Sequence, residues 1–277
     1  MSKRKWPVGT IISLSDLLER GVGPLRDMGL DTCQVSIWDD GQCTDENAEK
    51  AARALEGFGA MTSIIGWPGP AKWNFIEGPI TLGLLPEEYR ARRMEALIRE
   101  MTFVNEIGIP LSCTHLGFIP EDPNNPLYSV MVDCLRRLAD HAGRLGHVFC
   151  LETGQETPIT LRRAIEDAGA EHLGINLDTA NLLLYGKANP VDAVDMFGQY
   201  VRSLHVKDGE YPTDPRRLGK EMPVGQGRVD FPEVLRKLDA LGFAGPLIIE
   251  REIKGPQQIE DIRSAIALLD AWMEALA

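Results

Sequence analysis

The chain has 277 residues, 44% hydrophobic and 25% charged, with a formal charge of −12 at pH 7. That balance describes an ordinary globular protein and excludes a disordered or fibrous one. The acidity argues against a nucleic-acid partner, because sequence-independent affinity for phosphates comes from Lys and Arg. No apolar run approaches the roughly 18–20 residues of a membrane span, so no membrane partner is expected either.

The opening stretch, MSKRKWPVGTIISL, is basic, but its apolar part is short and no small-residue cleavage site follows. A cytoplasmic protein is therefore expected. Cys33, Cys43, Cys113, Cys134 and Cys150 are scattered, with no C-x-x-C pair. They read as small core residues rather than a disulfide framework or a zinc ribbon.

In chain order, short apolar or β-branched runs alternate with longer helical patterns. Strands are predicted at 10–14, 32–38, 60–67, 109–118, 147–154, 173–180, 201–208 and 246–252. Between and after them lie helical segments such as PEEYRARRMEALIREMTFVNEIG, PLYSVMVDCLRRLADHAGRLG, NPVDAVDMFGQY, DFPEVLRKLDALG and QQIEDIRSAIALLDAWMEAL. Several begin with Asp or Pro and stop at Gly108, Gly146 or Gly242, the expected start and stop residues. Eight strand–helix units in strict alternation imply a closed parallel barrel, the (β/α)8 TIM-barrel fold, as a single domain over 1–277. A doubly wound open sheet is the competitor, but no G-x-G-x-x-G follows the first strand. Two long loops, 68–85 and 209–229, have the length of lids or binding loops.

Active sites of such barrels lie at the C-terminal strand ends, and strand alternation says which residues face inward. On strand five the inward set is Val148, Cys150 and Glu152; on strand six Gly174, Asn176 and Asp178; on strand seven Ser203, His205 and Lys207; on strand eight Ile248 and Glu250. Glu152, Asp178, His205 and Glu250 thus converge at one mouth. Three carboxylates crowded in a partly buried space would protonate unless a cation neutralised them. One divalent metal resolves the conflict, and an oxygen-rich set with one imidazole favours Mn²⁺ or Mg²⁺, with Zn²⁺, Co²⁺ or Fe²⁺ as alternatives.

Each residue also has a plainer reading. His205 is either a ligand or a hydrogen-bonded core histidine, and Glu152 and Asp178 are ligands or ordinary loop-edge carboxylates. Glu252 shares the parity of Glu250 and competes with it as the inward ligand. Trp67 and Trp73, and less so Trp38, either wall a ligand pocket or simply pack. The GQGR stretch at 225–228 reads as a turn carrying a loop over the site.

The segments THLGFIP (114–120), LETGQE (151–156), NLDTANLLLYG (176–186), HVKD (205–208), PVGQGRVDF (223–231) and IIERE (248–252) resemble the xylose-isomerase-like sugar phosphate isomerase/epimerase superfamily. That superfamily includes ketose 3-epimerases, hydroxypyruvate isomerase, inosose dehydratase and apurinic-site endonucleases. The resemblance places the metal ligands on Glu152, Asp178, His205 and Glu250, and makes the two glutamates the acid/base pair. It points to His115 as a pocket residue near the metal, and to Glu156 and Lys207 as outer-sphere or substrate contacts. For Lys207 the alternative is structural pairing with Glu152 or Asp178.

The chain departs from the family pattern at Asn181, where a histidine is common, and at Tyr211, where ketose epimerases carry an arginine. Arg216, Arg217 or Arg228 are substitutes for that arginine, and Arg228 is expected to contact the substrate. The endonucleases' further Asp-x-His motif is absent, which argues against a multi-metal nuclease. The resemblance therefore implies a Mn²⁺-dependent isomerase or epimerase of a keto sugar or polyol, acting by proton transfer, and a homodimer or homotetramer. A keto-polyol dehydratase and a non-catalytic barrel subunit are the alternatives.

Overall fold

The structure, a computed structural model, describes residues 4–276. Eight parallel strands close into a barrel: β1 (Val8–Ser13), β2 (Thr32–Ile37), β3 (Thr62–Ile65), β4 (Leu111–Thr114), β5 (Val148–Glu152), β6 (Leu173–Asp178), β7 (Val201–Val206) and, after an external ribbon, β10 (Leu247–Ile249). The ribbon pairs β8 (Asp208–Glu210) antiparallel with β9 (Lys220–Met222). It occupies the start of a stretch that sequence reading leaves as loop. The barrel follows chain order, and β10 closes it between β7 and β1.

Apart from β1, which starts two residues earlier than predicted, the strands are shorter than the apolar runs that predict them. On β4 only Leu111–Thr114 pairs, and the run from Thr179 onward leaves β6 to start a helix. Once the backbone reaches the barrel mouth its neighbours splay apart, and apolarity alone does not mark that point.

The helices are α1 (Leu14–Arg20), α2 (Gly23–Asp27), α3 (Asp45–Ala54), α4 (Gly78–Thr81), α5 (Glu87–Glu106), α6 (Pro126–Leu145), α7 (Pro158–Ala168), α8 (Thr179–Leu184), α9 (Pro190–Phe197), α10 (Phe231–Ala240) and α11 (Pro256–Glu274); the longer ones cover the outside, while α4 lies within the 68–85 segment and α8 follows β6 at the mouth. α6 shows why the sequence folds this way. Asn125 caps its start by accepting from Leu127 N at 2.9 Å, Pro126 occupies the first position, and Gly146 ends it in the left-handed conformation. Its buried residues Met131, Leu135, Leu138 and Ala142 recur at helical spacing and face the barrel.

Most of the core lies between strands and helices. The barrel interior is a small apolar layer of Ile64, Leu111, Cys113 and Cys150 below a polar layer of Gln34, Asn176, Ser203 and His205. All five cysteines are free. Among the described residues no helix is long and apolar enough to cross a membrane.

One buried residue of α5 is at odds with its surroundings. Glu100 is 1% exposed, and its Oε2 has no hydrogen-bond partner. Burial, helped by the nearby Asp40 charge, pushes its carboxyl up to about 9. The unfolded chain releases this proton above about 4.5, while the folded chain keeps it. Its contribution to stability is therefore whole below that pH and is lost as pH rises toward 9. Glu100→Gln is expected to stabilise the fold by about 1–3 kcal/mol at pH 8 and to leave it unchanged at pH 4. Urea unfolding at the two pH values checks it, and equal shifts at both would refute the assignment.

Candidate metal centre

Glu152 ends β5, Asp178 ends β6, His205 lies on β7 beside Asp178, and Glu250 follows β10 directly. Their shared inward parity brings one donor atom from each to within 4.8 Å of the others. His205 Nδ1 lies 3.2 Å from Glu152 Oε1, 3.7 Å from Asp178 Oδ2 and 2.8 Å from Glu250 Oε2. Asp178 Oδ2, His205 Nδ1 and Glu250 Oε2 are all buried without a hydrogen-bond partner. Even the 2.8 Å approach lacks hydrogen-bond geometry, so these atoms face a common point rather than each other. Buried polar atoms are rarely left so, and orphaned carboxylate oxygens with one imidazole nitrogen are the donor set a hard divalent cation takes. The residues fit such an ion.

Asp178 is both of the things its sequence suggests. Oδ1 accepts from Asn181 N at 2.8 Å and caps α8, while Oδ2 belongs to the cluster. Glu250 is the inward member of its pair. Glu252 sits at the rim, its side chain 56% exposed, and accepts from Lys207 Nζ at 2.7 Å. Lys207 also lies 3.6 Å from Asp178 and 3.4 Å from Glu250, so its structural pairing is observed, with these carboxylates rather than with Glu152.

Charge in the cluster is strongly polarised. Burial raises the Glu152 carboxyl, but His115 and His205 outweigh it and hold the group well below the ordinary range. Burial likewise opposes Glu250, yet Lys207 and His205 bring it down to about 2. For Asp178 burial wins over Lys207 and the group stands at about 6. His205 and Lys207 are raised well above their usual values by these carboxylates, against burial.

A cavity of about 310 Å³ opens over the cluster. Its polar wall is His115, Glu152, Asn181, Glu250 and Glu252, and its apolar wall includes Trp38, Trp73, Leu184, Tyr185 and Leu218. His115 Nε2 lies 3.4 Å from Glu152 Oε1, and its Nδ1 lies 3.2 Å from Gln155 Oε1. Trp73 stacks its edge against His115 with ring centres 5.0 Å apart.

Three other expected contacts fall elsewhere. Trp67 is 5% exposed, donates from Nε1 to His115 O at 3.0 Å, and stacks behind Trp73, so it supports the wall without forming it. Glu156 is buried outside the cavity lining, and burial pushes its carboxyl up to about 8. Arg228 is exposed and does not line the cavity, because its segment is folded back onto Asp208. The Asp208 carboxylate accepts from the backbone N–H groups of Gly209, Gly225, Gly227 and Val229 at 2.8–3.1 Å. A Cβ at residue 227 would lie 2.2 Å from Asp208 Oδ1, which explains the glycine of the GQGR turn.

Sequence reading missed two buried side chains that shape this site. Gln34, inward on β2, accepts from His205 Nε2 at 2.8 Å. It is a polar residue on an inward parity, the signal that singles out Asp178. Arg93 is wholly buried under the 68–85 segment, and nothing distinguishes it within the basic run YRARR.

The fold and the cluster define a (β/α)8 barrel with a carboxylate–histidine centre at its mouth. Residues 22–272 match the model of the xylose isomerase-like TIM barrel family, and the chain belongs to that family. The structure is similar to a xylose isomerase domain protein from Planctomyces limnophilus, with 34% identity, 98% of each chain covered and a TM-score of 0.91. It shares its fold with an L-ribulose 3-epimerase at 20% identity, covering 98% of this chain and 95% of the other with a TM-score of 0.72. Among curated proteins it is 22% identical over 200 residues to an uncharacterized protein of Methanocaldococcus jannaschii, covering 68% of this chain. The match spans 64% of that relative's length.

Proposed function

We propose that the protein is a divalent-metal-dependent isomerase or epimerase of a keto sugar or related polyol, with Mn²⁺ as the preferred ion. The observation that carries this reading is the cluster itself: three buried donor atoms without hydrogen-bond partners, facing one point beneath a cavity of monosaccharide scale. The L-ribulose 3-epimerase that shares the fold supports it. A bound divalent ion would act as a Lewis acid for the negative charge that develops when a carbon next to a carbonyl loses its proton.

Glu152 and Glu250 are the proton carriers. They come from strands separated by β6 and β7, and both line the cavity. Both are held ionised, so each can serve as the base. One removes the proton beside the carbonyl; the other first takes up a proton from solvent and delivers it to the opposite face, which inverts the centre and leaves the pair with the same total of one proton. Trp73, Leu184 and Tyr185 supply apolar surface for the sugar's C–H face and keep water from the reacting carbon. His115 orients Glu152 through its 3.4 Å contact.

The Glu250 side chain is 13% exposed, against 1% for Glu152, so its proton exchanges with solvent. Turnover of free ketopentoses and ketohexoses in deuterated water, in the presence of Mn²⁺, is therefore expected to place deuterium at the inverted carbon. Product of inverted configuration carrying only protium would eliminate the two-glutamate scheme.

A further inference from the structure

Gln34 is fully buried in the middle of the barrel, where an amide is costly unless both of its ends are paired. Its Oε1 lies 2.8 Å from His205 Nε2, and its Nε2 lies 3.4 Å from Thr62 Oγ1 and 3.6 Å from Cys113 Sγ. Cys113 in turn donates to Glu152 Oε2 at 3.8 Å. One residue of β2 therefore reaches across the barrel to two members of the cluster, His205 directly and Glu152 through a thiol.

The direction of these bonds matters more than their number. Because the Cys113 hydrogen points to Glu152, the sulfur is left to accept, and Gln34 must present its NH₂ there and its oxygen to the imidazole. His205 Nε2 must then carry a hydrogen, so in the neutral imidazole that a cation would bind it is Nδ1, the atom facing the three carboxylates, that has the lone pair to give. A reversed amide would put the hydrogen on Nδ1 and close that position to a cation. On the other arm, the thiol occupies Glu152 Oε2 and leaves Oε1 turned to the cluster.

Resting on the metal reading above, we infer that Gln34 is a positioning residue for the ion. It holds His205 as the Nε2–H tautomer with Nδ1 as the ligating atom and, through Cys113, aims Glu152 Oε1 at the same point.

Mn²⁺ titration by calorimetry on the full chain tests this, with thermal unfolding recorded for every variant. Gln34→Met, of similar length but without an acceptor, is expected to weaken Mn²⁺ binding by about 10- to 100-fold. Gln34→Glu keeps an acceptor for Nε2–H and is expected to stay within about threefold of wild type, although a carboxylate in a dry barrel lowers its thermal stability below that of Gln34→Met. A purely structural role would instead make affinity follow stability. Cys113→Ala is expected to give a smaller loss, about 3- to 10-fold. Independently of any variant, ¹⁵N-histidine spectra of the Mg²⁺-loaded wild type should show a protonated Nε2 and a bare Nδ1 at His205. The opposite tautomer, or Gln34→Met binding within twofold of a wild type that binds Mn²⁺, overturns the inference alone. A wild type that takes up no Mn²⁺ overturns the metal reading and this inference with it.

Discussion

Asp178→Asn is expected to lower Mn²⁺ affinity by more than about 100-fold while leaving thermal stability close to wild type. The two halves of that expectation come from the two oxygens of one carboxylate. Oδ1 caps α8, a duty asparagine performs as well as aspartate, and the flanking backbone is held separately by reciprocal 2.8 Å bonds between Thr153 Oγ1 and Asp178 N and O. Oδ2 is wholly buried, has no hydrogen-bond partner and faces His205 Nδ1. On the proposed metal reading, removing its charge takes away a ligand, and losses at supporting positions around metal sites already reach about 100-fold. Asp178→Ala should lose the cap as well, at a further cost of about 1 kcal/mol. Calorimetric Mn²⁺ titration beside thermal scans separates the two effects. Wild-type affinity in Asp178→Asn would take this residue out of the ligand set and leave it as a cap alone.

That double duty also explains why the site was legible in the sequence and where reading stopped. Strand parity is a local, period-two property, so Glu152, Asp178, His205 and Glu250 could be placed on one side of the barrel before any coordinates. Glu250 and Glu252 share a parity, and what separates them is where β10 ends: the strand stops at Ile249, the next residue still points inward, and Glu252 has already reached the rim. Strand ends depend on neighbouring strands, which no single segment records. Arg228 misled for a related reason. It is expected to replace the arginine absent at Tyr211, but the carboxylate of Asp208 gathers four backbone N–H groups from a ribbon and a turn and draws the segment away from the cavity. Trp67 and Trp73 show the same boundary. Both lie in or next to one loop, yet only tertiary packing decides that Trp73 faces the cavity and Trp67 stands behind it.

Arg93→Met is expected to destabilise the protein by about 3–5 kcal/mol, a fall in Tm of roughly 6–15 °C, and to weaken ligand binding in the cavity as well. Arg93 is fully buried with no carboxylate beside it. Its guanidinium donates to the carbonyl oxygens of Pro68, Pro70, Thr81 and Gly83 at 2.5–2.9 Å. It also lies over the Trp67 ring, 4.3 Å from the centroid. Both ends of the 68–85 segment are thus held by one side chain. Gly83 is part of the same closure: at φ +64° its missing Cβ would sit 1.9 Å from Leu116 O, so the chain passes there with no room for a side chain. Methionine can fill much of the volume but takes the donor from the buried Gly83 carbonyl and from three part-buried ones, each costing up to about 1–3 kcal/mol before water and relaxation recover part of it. Lysine keeps the charge without the planar fork, so Arg93→Lys should fall between the two. The functional half follows from the stack. With its guanidinium face gone, Trp67 loses the partner that backs it against Trp73, and Trp73 walls the cavity beside His115. A loosened 68–85 segment should therefore raise KM more than it lowers kcat, since the Glu152 and Glu250 carboxylates are carried by β5 and β10 and not by this loop. Wild-type Tm in Arg93→Met would mean that the segment is held by its apolar contacts and that the buried cation is incidental to it.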